Sequence, residues 1–464
     1  MADQPSSPQV PRLVAGLTLA ASAALVVLPP PEGVDGRAMQ GAALTVFAIG
    51  LYASRIIPEF LTAFTYFLVA MLFAVAPASV VFSGFQSTAF WLVFGGLIIG
   101  VGVRRTGLGE YLAQSITGRF TKSYATLITG VVVLAVTMAF LMPSTMSRVV
   151  IMAPIVVAFA DRFGFGEGSN GRAGLILAMA MATWMPAAGI LPAHVPNLVM
   201  VGTAETLYDV SFTYGTYFFL HFPVLGVLKA ALIVVLVLVM FPDKLRPLAE
   251  QPAPAPLSPQ ARRMAIILAI TLALWMTDFA HGISPAWVSL GAGLFCLLPG
   301  AGLIPPSSFN KDMNFATVFY VAGIISIGPM LADTGIGEVL GRYILGVLPI
   351  EAGADFGNFL SLVGLSITTG VAATTPAVPA VITPLAADMA AAADMPLFSV
   401  LMTQVVGYST IIFPYQVPPV IIACQLGGVS VKAAARLALA IAAVTLVVLV
   451  PLNYLWWSLL GYFG

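Results

Sequence analysis

The sequence predicts an all-α polytopic membrane protein, and its composition and long apolar runs carry that prediction. Of its 464 residues, 59% are hydrophobic and 8% are charged, whereas soluble domains carry about 25% charged residues. Apolar runs of roughly 20 residues, the helix length that crosses a bilayer core, recur along nearly the whole chain. Lysines plus arginines equal aspartates plus glutamates at 19 each, so net charge gives no indication of nucleic-acid binding. The two cysteines lie inside apolar runs and offer neither a disulfide framework nor a metal spacing.

The apolar runs and their flanking charges predict about 11 transmembrane helices. The first is expected to be a retained helix rather than a signal peptide, because no convincing small-residue cleavage site follows it. No soluble domain of useful size fits between the helices. The predicted helices lie near 13–29, 39–57, 59–77, 82–103, 174–210, 214–241, 262–281, 285–303, 314–332, 398–428 and 432–461.

Two further apolar stretches, 123–161 and 356–393, are predicted to be re-entrant hairpins. Each is nearly twice the length of one span and is interrupted midway by a polar cluster containing proline, at 142–148 and 368–376. Two full spans would also return the chain to its starting side, so the hairpin prediction rests on these polar midpoints alone. Polar, non-helical backbone at membrane depth is tolerated only where protein or water satisfies it, which makes both midpoints candidate sites.

The distribution of charge predicts the orientation. Under the positive-inside rule, most basic residues fall on the side of the N-terminus, while acidic residues collect on the other side. Arg37 and Arg342 are the basic exceptions. We therefore expect a multi-pass protein of the inner (cytoplasmic) membrane with a cytoplasmic N-terminus.

An internal repeat divides the chain. Residues 106–112 (TGLGEYL) recur as 334–340 (TGIGEVL), with five of the seven positions identical. The helices before the two copies run in opposite directions under the predicted orientation, so the repeats are inverted, as in many transporters. The predicted division is a tail with the first helix (1–38), a first repeat (39–241), a cytoplasmic linker (242–261) and a second repeat (262–464).

Each predicted hairpin is followed by a helix with a break, 174–210 and 398–428. Prolines and glycines interrupt these helices, which frees half-helix N-termini to bind an anion and carbonyl oxygens to bind a cation. Hydroxyl groups at the hairpin tips can do either. The predicted substrate-binding residues are Ser144, Thr145, Arg148, Asn197, Thr374, Thr375 and Gln416, and the predicted cation-binding residues are Ser144, Thr145, Gly189, Asn197, Thr374 and Thr410.

Arg148 is the most informative single residue, because a charge one helical turn past Ser144 is expected to be buried and to need a partner. It could face an anionic substrate, stand where another carrier places a coupling cation, or pair internally in a structural role. His194 and His221 could titrate in a proton-coupled cycle or pack as neutral rings.

The tips and breaks resemble those of the divalent anion/sodium symporter family, the dicarboxylate/sulfate permeases of the ion transporter superfamily. In that family each hairpin tip reads Ser-Asn-Thr, with a proline ten residues after the serine. Ser144 and Pro154, and Thr374 and Pro384, keep this spacing. Both tips lack the family's asparagine, and Arg148 is foreign to the motif.

The resemblance implies a secondary transporter, not an enzyme, that moves a small anion such as a dicarboxylate, sulfate or a related oxyanion. It implies symport driven by sodium, with no other cofactor. It further implies a homodimer in the lipid bilayer, with a scaffold formed by the early helices of each repeat. The hairpins and broken helices would form a transport domain that moves as an elevator.

Several alternatives stay open. One is a proton-coupled or exchanging anion permease. Another is a sodium/proton antiporter or neutral oxyacid permease, for which Glu205 and Asp209 are the nearest carboxylate pair, although they lie at a helix end. A channel is a third. An enzyme is not expected, because the sequence has no zinc signature and no nucleophile elbow, and without a nucleotide-binding P-loop a gradient must supply the energy.

Overall fold

The computed structural model describes residues 9–120, 122–245, 256–301 and 303–463. These residues form helices and turns and contain no strand, so the predicted all-α membrane fold is confirmed. The tail before residue 9 and residues 246–255 of the predicted linker lie outside the described residues.

The helices follow one another with short connections. In the first half of the chain they are Gln9–Val27, Gly36–Ser54, Glu59–Leu72, Ala78–Val81, Thr88–Arg105, Leu108–Arg119, Tyr124–Leu141, Thr145–Arg162, Asn170–Trp184, Val195–Tyr208 and Tyr214–Met240. In the second half they are Pro259–Met276, Asp278–His281, Pro285–Leu297, Pro306–Asp312, Phe315–Asp333, Ile336–Val347, Asp355–Ala372, Ala377–Ala393, Leu397–Tyr408, Pro418–Gly427 and Val431–Leu459.

Five single helices of the described residues are long and apolar enough to cross a membrane, and one bent pair adds a sixth. Several further apolar helices are shorter, at 10–17 residues. The predicted count of about 11 transmembrane helices therefore stays a prediction, as does the division into two inverted repeats with a scaffold and a transport domain.

Helix starts are set by local capping. The Asp35 carboxylate accepts from the Ala38 backbone N–H at 2.6 Å, and the Ser87 hydroxyl accepts from the Phe90 N–H at 3.2 Å. Each bond satisfies one of the donors that the first turn of a helix leaves free. Side-chain caps therefore set where these membrane helices begin.

The two copies of the repeated motif adopt the same local structure. In each, a helix ends, a glycine takes a positive φ (71° at Gly107 and 77° at Gly335), and a second helix begins. These second helices, Leu108–Arg119 and Ile336–Val347, were not among the predicted spans; each is 12 residues long, which is too short to cross a bilayer core. Glycine fits this position since other residues are strained at such angles.

The helix Thr88–Arg105 lies against Pro285–Leu297 at backbone distance. A Cβ atom on Gly95 would come within 2.5 Å of the Ser289 carbonyl carbon, and one on Gly293 within 3.2 Å of the Gly95 oxygen. Small residues that let backbones meet are the usual means of joining membrane helices, because lipid supplies no hydrophobic force between them.

The residues that the structure describes form two apolar cores. One joins the early helices with the second half of the chain, and the other joins 124–160 with 175–185, 233–241 and 411–441. Both cysteines, Cys296 and Cys424, are buried within these cores as free thiols.

Four segments interrupt the helices where the candidate site was predicted. The first tip, residues 142–146, joins Tyr124–Leu141 to Thr145–Arg162, and the second tip, residues 373–376, joins two helices bent by 119°. The first break lies between Trp184 and Val195, and the second lies between Tyr408 and Pro418. Whether each tip belongs to a re-entrant hairpin stays a prediction.

Candidate functional site

The two tips and two breaks converge on one cavity of about 140 Å³. Segments far apart in sequence thus meet in one place, where the two apolar cores adjoin. The lining residues from these four segments are Pro143, Ser144, Thr145, Met146, Trp184, Val195, Leu198, Thr375, Pro376, Gln416, Pro418 and Pro419.

Three helices begin at the cavity wall. Their first residues are Thr145, Val195 and Pro418, and the helices are 18, 14 and 10 residues long. The start of each helix carries the positive end of the helix dipole, and its first turn leaves N–H groups free except at Pro196, Pro418 and Pro419, which have none. The cavity is therefore favourable for an anion.

The hydroxyl groups of the tips line this cavity. Ser144 accepts from the Ser147 N–H at 3.3 Å, and Thr375 donates to the Gln416 carbonyl oxygen at 3.4 Å. The Thr375 contact is long, so its hydroxyl can turn toward a bound anion. Each tip thus supplies at least one hydroxyl to the cavity.

Gln416 holds the second break in shape and also lines the cavity. Its Oε1 accepts from the backbone N–H groups of Ile412 and Phe413 at 2.9 and 2.8 Å. These donors lie in the irregular segment before Pro418, where no helical partner exists for them. The side-chain amide therefore replaces the missing helical acceptor.

Asn197 holds the first break in shape but, unlike Gln416, does not line the cavity. Its Nδ2 lies 3.1 Å from the carbonyl oxygens of Ala188 and Ile190 and 3.3 Å from that of Leu191. Its Oδ1 accepts from the Tyr408 hydroxyl at 2.8 Å. Because Tyr408 ends the first half of the second broken helix, this bond ties the two breaks together.

Arg148 is fully buried behind the first tip rather than in the cavity. Its guanidinium donates to the Thr145 hydroxyl and the Thr183 carbonyl, both at 2.9 Å. It also donates to the Met142 carbonyl and, at 3.1 Å, to the Ala193 carbonyl. Arg148 thus joins the first tip to both sides of the first break through oxygen atoms.

Lys229 is a second fully buried cation, which the sequence analysis did not single out. Its ammonium donates to the backbone oxygen and the hydroxyl of Ser409, at 3.1 and 3.2 Å. The signal was a lone lysine inside the apolar run 214–240, since an ionisable residue at membrane depth is a candidate site residue by default.

The other predicted site residues lie near the cavity but not in its wall. Thr374 is buried, and its backbone oxygen accepts from the Ala377 N–H. Thr410, just past the helix Leu397–Tyr408, donates to the Val406 oxygen at 3.0 Å. Gly189 faces the backbone of Phe222, which a Cβ atom would approach to 3.1 Å. These positions shape the breaks from behind.

Residues outside the tips and breaks complete the wall. Arg55 and Glu59 lie 3.8 Å apart in an ion pair at the cavity, with side chains 33% and 43% exposed. The remaining lining residues from early helices of the two halves are Val93, Leu97, Thr317 and Tyr320. Sequence reasoning used Arg55 only to orient the chain, because nothing local shows that it meets the tips.

The two histidines considered for proton coupling, His194 and His221, are buried. His194 lies against Trp184, with ring centroids 3.9 Å apart, and neither ring nitrogen has a hydrogen-bond partner in the described structure. The Nε2 of His221 lies 3.3 Å from the Met402 sulfur. Neither residue lines the cavity, which favours the packed, neutral interpretation.

The carboxylate pair considered for a proton antiporter is engaged elsewhere. Glu205 accepts from the Thr88 N–H and hydroxyl at 3.0 and 2.8 Å, at the start of Thr88–Arg105. Asp209 ends the helix Val195–Tyr208 with a positive φ. Among the described residues no group of three or more His, Cys, Asp or Glu could hold a metal.

Comparison with known proteins gives consistent matches. A family model described as the sodium:sulfate symporter transmembrane region matches residues 11–463. A Cupriavidus necator protein described as a membrane protein is 24% identical over 356 residues, covering 71% of this chain and 69% of that one. The L-tartrate/succinate antiporter of Escherichia coli is 25% identical over 358 residues, covering 73% and 72%.

Two solved transporters share the fold. The crystal structure of the Alcanivorax borkumensis YdaH transporter matches with a TM-score of 0.56 at 15% identity, covering 99% of both chains. Neisseria gonorrhoeae MtrF, described among antimetabolite efflux pumps, matches with a TM-score of 0.50 at 15% identity, covering 98% of this chain and 96% of that one. At this identity the likeness concerns the fold alone.

Proposed function

The chain belongs to the sodium:sulfate symporter family of membrane anion transporters, and from that premise we propose that it is a secondary carrier for a small dicarboxylate. One observation carries the proposal: three helix N-termini and the hydroxyls of both tips meet at a single cavity. A carrier of this kind binds its anion at half-helix N-termini near the membrane midplane.

The wall of the cavity favours a dicarboxylate over sulfate. The two tips approach it from different segments, so each can bind one carboxylate through Ser144 or Thr375. The wall also includes the apolar side chains of Val93, Leu97 and Leu198. An apolar wall suits a carbon backbone, whereas sulfate would leave it unused. Relatives named for tartrate and succinate point to the same class.

The mode of coupling has two candidates. Sodium symport, with Ser144, Thr145, Gly189, Asn197, Thr374 and Thr410 around the cation, is what the resemblance implies. Exchange of one anion for another is the mode in the names of the curated relatives. The position of Arg148 favours exchange, because its guanidinium already contacts the Thr145 hydroxyl of the first tip and the Ala193 carbonyl of the first break.

The wider arrangement is proposed with the function. We place the carrier in the inner membrane with its N-terminus cytoplasmic, as a homodimer whose tips and broken helices move together as an elevator. The family resemblance and the charge distribution support this arrangement.

The test is counterflow in proteoliposomes. Vesicles loaded with unlabelled succinate are expected to take up labelled succinate and tartrate faster than empty vesicles, and faster than they take up sulfate or a monocarboxylate. Parallel assays in sodium and choline chloride separate symport from exchange.

A matched pair of variants locates the site. Thr375→Val removes the hydroxyl of the second tip and is expected to raise the KM for succinate. Thr129→Val removes a hydroxyl that donates to the Ala125 oxygen on an exposed helix face, and is expected to change nothing. Equal kinetics for the two variants, or flux of no dicarboxylate, would contradict the proposal.

A further inference from the structure

A second cavity, of about 220 Å³, adjoins the first cavity, the one between the tips and the breaks. The two cavities share Leu97 and Met146 in their walls. The polar residues that line the second cavity are Arg104, Ser147 and Asn314. We call it the vestibule, and none of its lining residues was among the predicted site residues.

Arg104 gives the vestibule a positive charge. It lies half-buried in the last turn of Thr88–Arg105, and its guanidinium donates to the Asp312 backbone oxygen at 3.2 Å. The Asp312 carboxylate instead accepts from Arg105, at 2.6 Å. Within the described parts of the chain, no carboxylate lies within 4.0 Å of the Arg104 guanidinium. The charge in the vestibule is therefore not in a direct ion pair.

Two helices begin at the vestibule wall. Met146 and Ser147 belong to the first turn of Thr145–Arg162, and Asn314 is the N-cap of Phe315–Asp333. These helices are 18 and 19 residues long, and the start of each carries the positive end of a helix dipole. Together with the arginine, the two helix starts make the vestibule favourable for an anion.

Two hydrogen bonds connect the vestibule to the first cavity. The Ser147 hydroxyl donates to the hydroxyl of Ser144, at 3.1 Å, and Ser144 lines the first cavity. The Asn314 Oδ1 accepts from the N–H of Thr317, at 3.3 Å, and Thr317 also lines the first cavity. An anion that leaves the vestibule for the first cavity therefore next meets a hydroxyl group of the first tip.

The internal repeat places this charge in one copy only. Arg104 stands two residues before the first copy of the repeated motif, and the residue two before the second copy is Ala332. The next residue, Asp333, forms an ion pair with Arg37. The second copy therefore has no arginine equivalent to Arg104, and we expect the vestibule to act on one face of the membrane.

Building on the proposed function, we propose that the vestibule is a second anion-binding site, in which Arg104 binds one carboxylate group of a dicarboxylate before the molecule reaches the tips. Ser147 and Asn314 supply a hydroxyl and an amide to the same group. A dianion held there is concentrated next to the first cavity. A half-buried charge acts in this way most strongly at low ionic strength. Under the proposed orientation the vestibule serves the cytoplasmic face.

Arg263 provides a matched control. It is also an arginine that donates to a backbone oxygen, that of Ala301 at 3.5 Å. It is exposed and lies outside the walls of both cavities. Under the proposed orientation it is on the same side of the membrane as Arg104. Arg263→Gln therefore removes one positive charge from that side and leaves the vestibule intact.

The first experiment measures binding without transport, by thermal denaturation of the purified full-length protein in detergent at constant ionic strength. Succinate is expected to raise the apparent Tm of Thr375→Val, in which the first cavity has lost a hydroxyl. Adding Arg104→Gln is expected to raise the succinate concentration that gives half of this effect about threefold or more. Adding Arg263→Gln is expected to leave that concentration unchanged. Equal concentrations for the two double variants, or no rise in the Tm of Thr375→Val, overturn the proposal.

Asn314→Asp is a second variant that keeps the helix cap. Aspartate caps a helix as well as asparagine does, so the bond to the Thr317 N–H can remain. The new negative charge lies in the vestibule with Arg104, where it repels a dianion. In the Thr375→Val background we expect it to weaken succinate binding as Arg104→Gln does. If Arg104→Gln does not fold, Asn314→Asp decides the comparison with Arg263→Gln.

The second experiment measures counterflow of labelled succinate in vesicles of defined orientation. Arg104→Gln is expected to lower kcat/KM about three- to tenfold for succinate presented on the vestibule face, and by a smaller factor on the opposite face. Arg104→Lys is expected to keep most of the wild-type value. The difference between wild type and Arg104→Gln is expected to shrink when salt is raised from about 20 to about 300 mM. A loss that is equal on both faces, or no loss, overturns the role of the vestibule in entry.

The outcomes separate the two proposals. A wild type that moves no dicarboxylate removes the proposed function, and the Tm comparison then still decides whether the vestibule binds a dianion. A wild type that exchanges dicarboxylates, with equal succinate binding in the two double variants, keeps the proposed function and excludes the vestibule as a binding site.

Discussion

Replacing Asn197 by alanine tests whether the first break is held by one side chain. The amide contacts three backbone carbonyls of the break, and its Oδ1 accepts from the Tyr408 hydroxyl. Asn197 is fully buried, so water cannot take over these bonds. Alanine therefore takes away the amide that serves the Leu191 carbonyl and the Tyr408 hydroxyl, whereas the Ala188 and Ile190 carbonyls keep the Tyr217 hydroxyl and the Ala193 N–H.

The expected cost follows from the number of bonds. Two N–H groups serve the three carbonyls, and the Tyr408 hydroxyl loses its acceptor, so three bonds are lost. An unsatisfied buried group costs about 1–3 kcal/mol, whereas a hydrogen bond between membrane helices is worth about 0.6 kcal/mol on average. Between these two scales, we expect the free energy of unfolding to fall by about 2–5 kcal/mol. Because Val195 then loses its fixed position at the cavity, we expect kcat/KM for succinate counterflow to fall about tenfold or more.

The assay combines thermal denaturation in detergent with counterflow in proteoliposomes. The control is Asn453→Ala, which removes another buried asparagine whose Nδ2 donates to the Leu449 oxygen within its own helix. We expect this control to keep wild-type transport. If Asn197→Ala kept both the wild-type Tm and the wild-type KM, the assignment of Asn197 as the brace of the first break would be wrong.

Three further predictions concern packing, the first tip and charge movement. Gly95→Ala is expected to destabilise the fold by about 1–3 kcal/mol, because the new methyl group meets Ser289. The control is Gly291→Ala, whose methyl group meets nothing within 4 Å. Equal Tm values for the two variants would refute the close contact between the helices. Thr145→Val removes the hydroxyl that accepts the charge-assisted hydrogen bond from Arg148, a bond worth about 1.5–3 kcal/mol. The kcat/KM for succinate counterflow is therefore expected to fall about 10- to 100-fold, and Thr145→Ser is expected to restore it. A valine variant with wild-type activity would show that transport does not need this hydroxyl. Exchange of one dianion for another is expected to be electroneutral. A transmembrane potential of about 100 mV, set with valinomycin, should therefore leave the rate of succinate counterflow unchanged. A severalfold change in that rate would contradict electroneutral exchange.

Much of the fold class could be predicted from the sequence, because spans and breaks are local properties. Apolar runs, the Pro and Gly clusters and the two motif copies are visible in short windows. Ser144, Thr145, Thr375 and Gln416 were expected to meet from the polar character of the tips and breaks, and they line the cavity. This convergence required no knowledge of which helices pack together.

The rest of the site depends on tertiary packing that no local pattern encodes. Arg55 reaches the cavity from the connection after Gly36–Ser54, and Tyr320 reaches it from the helix Phe315–Asp333; nothing in either local sequence shows that it meets the tips. Arg148 was expected near the first tip, but the sequence did not show which way its charge would face. The carbonyls of residues 183 and 193 accept its hydrogen bonds, so the charge faces the first break and not the cavity. Lys229 could have been found by applying to it the same argument about buried charge.

Because both native thiols are buried, an introduced cysteine can be labelled without first removing the native ones. Cys296 is 0% exposed and Cys424 is 1% exposed, and thiols so placed react poorly because polar reagents cannot reach them. A cysteine placed at Met146, in the cavity wall, would then dominate modification by a charged maleimide. Its rate of modification from either face of the vesicle would report which side the cavity opens to, in the wild-type background and during turnover.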